Sequence, residues 1–281
     1  MRNALSVDVE DWFQVGAFET VISRDDWETL PRRVEQNVGR VLDLFDEAEV
    51  KATFFTLGWI AARHPALVRR IAAAGHEVAS HGWDHRRVFT MSEPEFRADL
   101  KRARDAIEAA SGQTPGGYRA PSFAIDQRTP WAHRVLAEEG YSYSSSVAPL
   151  RHDHYGWPEA PRFAHRPVPD AELIELPVTT IQLGGRRLAA GGGGFFRLLP
   201  LRFSSWAISR VNRDEGRPAV FYFHPWEIDP AQPRVREAPL KSRLRHYSNL
   251  AAMRPKLLKL LTSHEWGRTG DVVARERARL Q

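Results

Sequence analysis

The strongest constraint on the fold is a repeated alternation. Short runs rich in β-branched and aromatic residues are each followed by a helical pattern. Residues 4–9 open as a strand, and Val34, Val38, Val41, Leu42 and Phe45 then recur at helical spacing. Residues 51–57 (KATFFTL) form a second strand, and residues 65–74 a helix closed by Gly75. A third strand covers 76–80. Ser92-Glu93-Pro94-Glu95 is a capping-box signature that opens a helix running to about Ala110. Strands follow at 117–120, 141–145, 173–181 and 219–223, with helices at 131–139 and 201–215 between them. Seven strands with intervening helices predict an α/β fold on a mainly parallel sheet. Chemistry in such folds sits at the C-terminal ends of the strands.

Two stretches interrupt the pattern. Residues 146–172 hold five prolines and little periodicity, which predicts a long ordered loop or lid. Gly191–Gly194 lacks the lysine of a phosphate cradle and reads as a flexible turn. The chain of 281 residues accommodates one large domain. It is expected to divide into a barrel over 1–235 and a basic helical extension over 236–281, packed on the same domain. Residues 234–281 carry 12 Lys/Arg against 4 Asp/Glu. Such a charge run reads first as a solvated helical face, and second as a docking surface for a membrane or an anionic glycan. No recognition motif accompanies it, so no nucleic acid is expected. The N-terminus shows no basic segment followed by a long apolar one, and no window has the length of a membrane span. The expected location is therefore the cytoplasm, peripheral at the inner membrane face. The chain has no cysteine, so any metal must sit on nitrogen and oxygen ligands.

Four polar clusters fall at expected strand ends. Asp8-Val9-Glu10-Asp11 places three carboxylates in four residues, costly without a cation, although a polar loop explains them equally well in isolation. His81 and His85 are four apart, which on a helical turn puts both on one face toward one metal. A structural pair is the bland alternative. Arg119 and His224 each end a strand, and each could be a paired or capped structural residue.

Together these segments resemble the NodB-homology polysaccharide deacetylases of carbohydrate esterase family 4. The resemblance is carried by Ser6-Val7-Asp8-Val9-Glu10-Asp11, by Gly75–Gly82 with Trp83-Asp84-His85, by Arg119-Ala120-Pro121 and by Phe221-Tyr222-Phe223-His224-Pro225, with Thr53-Phe54-Phe55 on the second strand. It spans residues 4–225. Asp8–Phe13, Arg151–Gly156 and His224-Pro225-Trp226-Glu227 look like the branch associated with exopolysaccharide and exosortase gene clusters, as does the C-terminal extension.

The resemblance implies a distorted (β/α)7 barrel and a metal, usually zinc, with cobalt or nickel able to use the same ligands. It implies hydrolytic removal of acetyl groups from an acetylated oligo- or polysaccharide or its lipid-linked precursor. Asp8 would be the base, oriented by Arg119, and His224 the acid. His81, His85 and Glu10 or Asp11 would hold the metal, with Glu10 favoured because some members space base and ligand two apart. Phe123, Trp226 and Trp83 would stack on sugar, with plain packing the alternative for each, and Asp153 would orient His224. The family pattern puts an aromatic residue directly after the arginine–proline pair, whereas here Ser122 intervenes before Phe123. Two other functions fit the same scaffold: a C–N hydrolase acting on a small amide, imide or formylated sugar lipid, and a catalytically silent glycan-binding module. The presence of base, acid, arginine and ligands argues against the last.

Overall fold

A computed structural model describes residues 1–152 and 155–280. The strands are β1 (Asn3–Val9), β2 (Thr53–Thr56), β3 (Glu77–Ser80), β4 (Gly117–Tyr118), β5 (Tyr143–Ser144), β6 (Ile174–Glu175), β7 (Thr180–Leu183), β8 (Arg186–Ala189), β9 (Val220–Phe223) and β10 (Trp266–Gly267). The α-helices are α1 (Val34–Glu47), α2 (Gly58–Arg63), α3 (Pro65–Ala73), α4 (Glu93–Ser111), α5 (Ala132–Glu138), α6 (Gly193–Leu198), α7 (Leu201–Arg213), α8 (Leu240–Tyr247), α9 (Leu250–Ser263) and α10 (Thr269–Arg279).

β9, β1, β2, β3, β4, β5 and β6 form one parallel sheet in that order. The sheet curls, and the gap between β6 and β9 is spanned by a bridge from Gly192 to Tyr222 and by the amide of Thr179 donating to the Val220 carbonyl. This is the distorted (β/α)7 barrel. β1 is buried along its whole length because both of its faces are covered. Leu5, Val7 and Val9 pack outward with Val38, Val41 and Phe45 of α1. Ala4 points inward with Phe55, Ala79, Tyr143 and Ile174. With a period of two, Ser6 and Asp8 share that inward face. The strand thus carries a carboxylate into the mouth of the barrel.

Local signals explain the helix boundaries. In α4 the Ser92 amide donates to Glu95 Oε2 at 2.8 Å, and the helix ends at Gly112 with φ +74°.

Three expectations are corrected. The run 173–181 is not one strand. It pairs in the barrel only at Ile174–Glu175, and Thr180–Leu183 turns back on Arg186–Ala189 as an antiparallel hairpin. Gly184 and Gly185, at φ +54° and +74°, supply that turn. The four-glycine run is not a loose turn either. A Cβ at Gly191 would overlap the Val220 carbonyl, and one at Gly193 the Glu227 carboxylate, so glycine there permits close approach to β9. Finally, the tail holds more than helices. Trp266–Gly267 pairs in parallel with Asn3–Ala4, and Met253, Leu257, Leu260 and Trp266 join the core.

Candidate metal and catalytic centre

The mouth of the barrel opens into a cleft of about 440 Å³ whose lining includes Asp8, Glu10, His81, His85, Phe123 and His224. Arg119, fully buried after β4, organises its floor. Its Nη1 donates to Asp8 Oδ1 at 2.7 Å and to Ser6 Oγ at 2.8 Å. Its Nε and Nη2 donate to the carbonyl and hydroxyl of Ser145 at 3.0 and 2.9 Å. The guanidinium lies 4.1 Å over the Phe55 ring. Held this way, Asp8 presents Oδ2 toward His224, whose Nε2 is 4.0 Å away. Ser6 and Ser145 were not singled out by the sequence, where serines in strands carry no distinguishing pattern.

Glu10, His81 and His85 each offer a ligand atom, and these atoms lie within 4.8 Å of one another. The two histidines do not sit on a helical turn. Gly82 at φ +75° and His85 at φ +61° fold the segment back, bringing the ring centroids to 5.5 Å. His81 Nδ1 lies 2.8 Å from the Arg119 carbonyl, an arrangement that puts the proton on Nδ1 and leaves the Nε2 lone pair for a ligand. Burial, partly countered by Asp8, lowers His81 to about 4, so the ring is neutral. Burial alone would raise Glu10, but His85, His224 and His81 outweigh it and bring it to about 2. Its Oε2 is buried, 3.0 Å from His85 Nε2, with no well-aligned donor among the described residues. Two nitrogens and one carboxylate facing each other without a hydrogen bond fit a divalent cation of the zinc type.

Asp11 does not join this group. Its carboxylate accepts from the backbone amides of Trp12, Arg33 and Val34 at 2.9, 2.8 and 3.1 Å, closing the start of α1.

His224 follows β9. Its Nδ1 is 2.8 Å from Glu227 Oε1, and its Nε2 faces the cleft, 3.5 Å from Glu10 Oε1. Burial would lower the imidazole, but Glu10, Glu227 and Asp8 raise it to about 9. The residue that orients His224 is thus Glu227, three positions on. Asp153, proposed for this part from the sequence, lies outside the described residues. The sequence did contain the signal, since His224-Pro225-Trp226-Glu227 has capping-box spacing.

The aromatic residues divide. Ser122 and Phe123 both adopt left-handed backbone, φ +54° and +50°, and Phe123 lines the cleft despite the inserted serine. Trp226 reaches the cleft lining but is only 6% exposed. Its ring is stacked between His224, at 5.1 Å and 18°, and His246, at 4.1 Å and 14°. Trp83 is absent from the cleft lining. It packs against Gly58 beneath the Arg102 guanidinium, 3.6 Å away. The expectation of sugar stacking by Trp83 is therefore corrected, whereas Trp226 lies in the cleft wall with Phe123, Tyr155 and Tyr222.

Residues 21–143 match the family model described as polysaccharide deacetylase, and residues 145–274 match a domain of unknown function, DUF3473. A peptidoglycan-N-acetylglucosamine deacetylase of Listeria monocytogenes is 35% identical over 88 residues, 31% of this chain and 19% of the relative. A chitooligosaccharide deacetylase of Bradyrhizobium sp. (strain ANU 289) is 36% identical over 145 residues, 51% of this chain and 59% of the relative. The chain thus spans less than two thirds of the length of these curated relatives. The fold is similar to that of a Mycobacterium smegmatis chain assigned to the polysaccharide deacetylases, with a TM-score of 0.65 at 23% identity, covering 100% of this chain and 92% of that one. Residues 21–143 thus match the polysaccharide deacetylase model and residues 145–274 a domain of unknown function, and the chain is similar over part of its length to curated deacetylases of peptidoglycan and of chitooligosaccharides.

Proposed function

We propose that this protein removes acetyl groups hydrolytically from an N-acetylated amino-sugar polymer, or from its lipid-linked precursor, in exopolysaccharide biosynthesis. One observation carries the reading: Asp8 and His224 stand at the same three-residue ligand cluster, with His224 Nε2 4.0 Å from Asp8 Oδ2 and 3.5 Å from Glu10 Oε1. A base and an acid in this arrangement serve the two proton transfers that amide hydrolysis needs.

Glu10, His81 and His85 would hold the metal, zinc in our reading with cobalt or nickel able to substitute, and it would supply Lewis acidity toward water and the acetyl carbonyl. Asp8 Oδ2 takes the proton of the attacking water as the oxygen adds to the acetyl carbon. Arg119, fixed to Asp8 Oδ1, keeps the other oxygen aimed at the cleft. His224 Nε2 gives its proton to the amide nitrogen as the C–N bond breaks. Acetic acid and a free amine leave, the acid giving its proton to solvent as acetate forms, and the proton on Asp8 passes back to His224.

The basic C-terminal segment supports a place at a membrane surface. On α8, Leu240 and Leu244 are 66% and 59% exposed beside Lys241, Arg243 and Arg245, at the rim of the cleft. No helix among the described residues is long and apolar enough to cross a membrane. In our reading the protein works on the cytoplasmic side, resting on anionic lipid.

The test is acetate release from N-acetylglucosamine oligosaccharides by metal-reconstituted protein, with a chelator control. Chelator-sensitive release supports the reading. Turnover of formamides or cyclic imides with no acetate release would replace it with a small-substrate C–N hydrolase.

A further inference from the structure

His224 belongs to the segment that matches a domain of unknown function, and so does everything that grips the far side of its ring. Glu227 Oε1 accepts from the His224 backbone amide at 3.0 Å and lies 2.8 Å from Nδ1. Glu227 Oε2 accepts from Arg197 Nε at 2.7 Å. Both Glu227 and Arg197 are buried, and an ion pair in that setting persists only when its remaining donors and acceptors are satisfied. Arg197 meets this condition through the tail. Its Nη1 donates to the carbonyls of His246 and Ser248 at 3.0 and 2.6 Å, and its Nη2 to that of Arg245 at 2.9 Å. These carbonyls lie at the C-terminal end of α8, where unpaired acceptors carry partial negative charge. Asn249 Nδ2 returns a bond to the Arg197 carbonyl at 3.0 Å.

A second contact runs parallel to the first. Trp226 is stacked between His224 and His246, and His246 Nε2 lies 2.6 Å from Gln232 Oε1. The His224 ring is therefore fixed at Nδ1 by an ion pair and on one face by a ring stack. Both supports are anchored in residues 232–249.

We propose that Arg197 is a positioning residue for proton delivery. Clamped by the end of α8, it fixes Glu227 and through it the His224 ring, so that the C-terminal segment completes the active site. The role given to His224 rests on the deacetylase reading above, whereas the clamp rests on the contacts.

The test compares two acetyl donors. In an N-acetylglucosamine oligosaccharide the leaving amine must be protonated. In 4-nitrophenyl acetate the phenolate leaves without a proton. Arg197→Met is expected to lose about 100-fold in kcat on the oligosaccharide, with KM unchanged, metal still bound and 4-nitrophenyl acetate turnover within about threefold of the parent. Arg197→Lys, which keeps the charge, should recover part of the loss. Equal loss on both substrates by a folded variant, or loss on neither, would overturn the proposal.

If Arg197→Met does not fold, Gly193→Ala asks the same question without removing a charge. Its Cβ would overlap the Glu227 carboxylate and displace it. The same split between substrates is expected, and its absence counts against the clamp. A wild type that releases no acetate from the oligosaccharide removes the deacetylase reading and leaves the clamp to nitrogen NMR. There the His224 ring should show one Nδ1-protonated signal in the wild type and lose it in Gly193→Ala. An unchanged signal would overturn the clamp.

Discussion

The indole Nε1–H of Trp226 donates to Glu10 Oε1 at 3.2 Å, so this ring in the cleft wall orients a carboxylate of the candidate ligand cluster. Partners that orient a metal ligand typically change affinity 10–100-fold when removed. Trp226→Phe keeps a ring between His224 and His246 but loses the donor. Metal affinity measured by chelator competition should fall about 10-fold. Unchanged affinity, with weakened binding of oligosaccharide, would return Trp226 to the substrate.

Asp8→Asn and His224→Ala should each cut acetate release by about 10²–10⁴-fold while leaving one metal per chain, because neither belongs to the ligand triad. His81→Ala should lose the metal as well as turnover. Metal analysis of the three purified variants separates these outcomes. Full activity in Asp8→Asn would remove the proposed base.

Much of this centre was legible because each residue lies at the end of a recognisable strand or just after it. Asp8 is the penultimate residue of β1, His81 follows β3, Arg119 follows β4 and His224 follows β9. What pairs across the fold was not legible. Ser145, which holds Arg119, and Arg197, which holds Glu227, are 26 and 30 residues from their partners, and no local periodicity marks them. The hairpin β7–β8 was missed for another reason. Thr180 and Ile181 continue the β-like composition of the run before them, so the break lies in the Gly184-Gly185 turn and not in the strand residues. The geometry of His81 and His85 escaped because a spacing of four suits a helix, whereas two left-handed residues produce the same proximity here.

Asp11 separates metal binding from stability. It accepts three backbone amides at the start of α1, and burial raises its carboxyl despite those bonds. Asp11→Ala would leave buried donors unpaired, at a cost of about 2 kcal/mol. The expected result is a lower denaturant midpoint with unchanged metal stoichiometry. Loss of the metal with stability intact would make Asp11 a ligand after all.

Asp99, which accepts from the Trp83 amide in the turn between His81 and His85, gives the fold a pH dependence of its own. Burial first, and the neighbouring Asp84 second, raise its carboxyl from 3.8 to about 7, although the Trp83 amide, Arg86 and Arg102 pull the other way. The folded chain therefore binds this proton more tightly than the unfolded chain. Its contribution to stability is full below about pH 4 and is lost as pH rises toward 7. The loss should be about 1–2 kcal/mol, less than the full shift implies because the side chain is only half-buried. Asp99→Asn keeps an oxygen for the Trp83 amide, 3.1 Å away, and carries no charge. Relative to the parent its melting temperature should rise by a few degrees at pH 8.5 but not at pH 4. A difference of the same size at both pH values would show that packing, and not the proton, sets the effect.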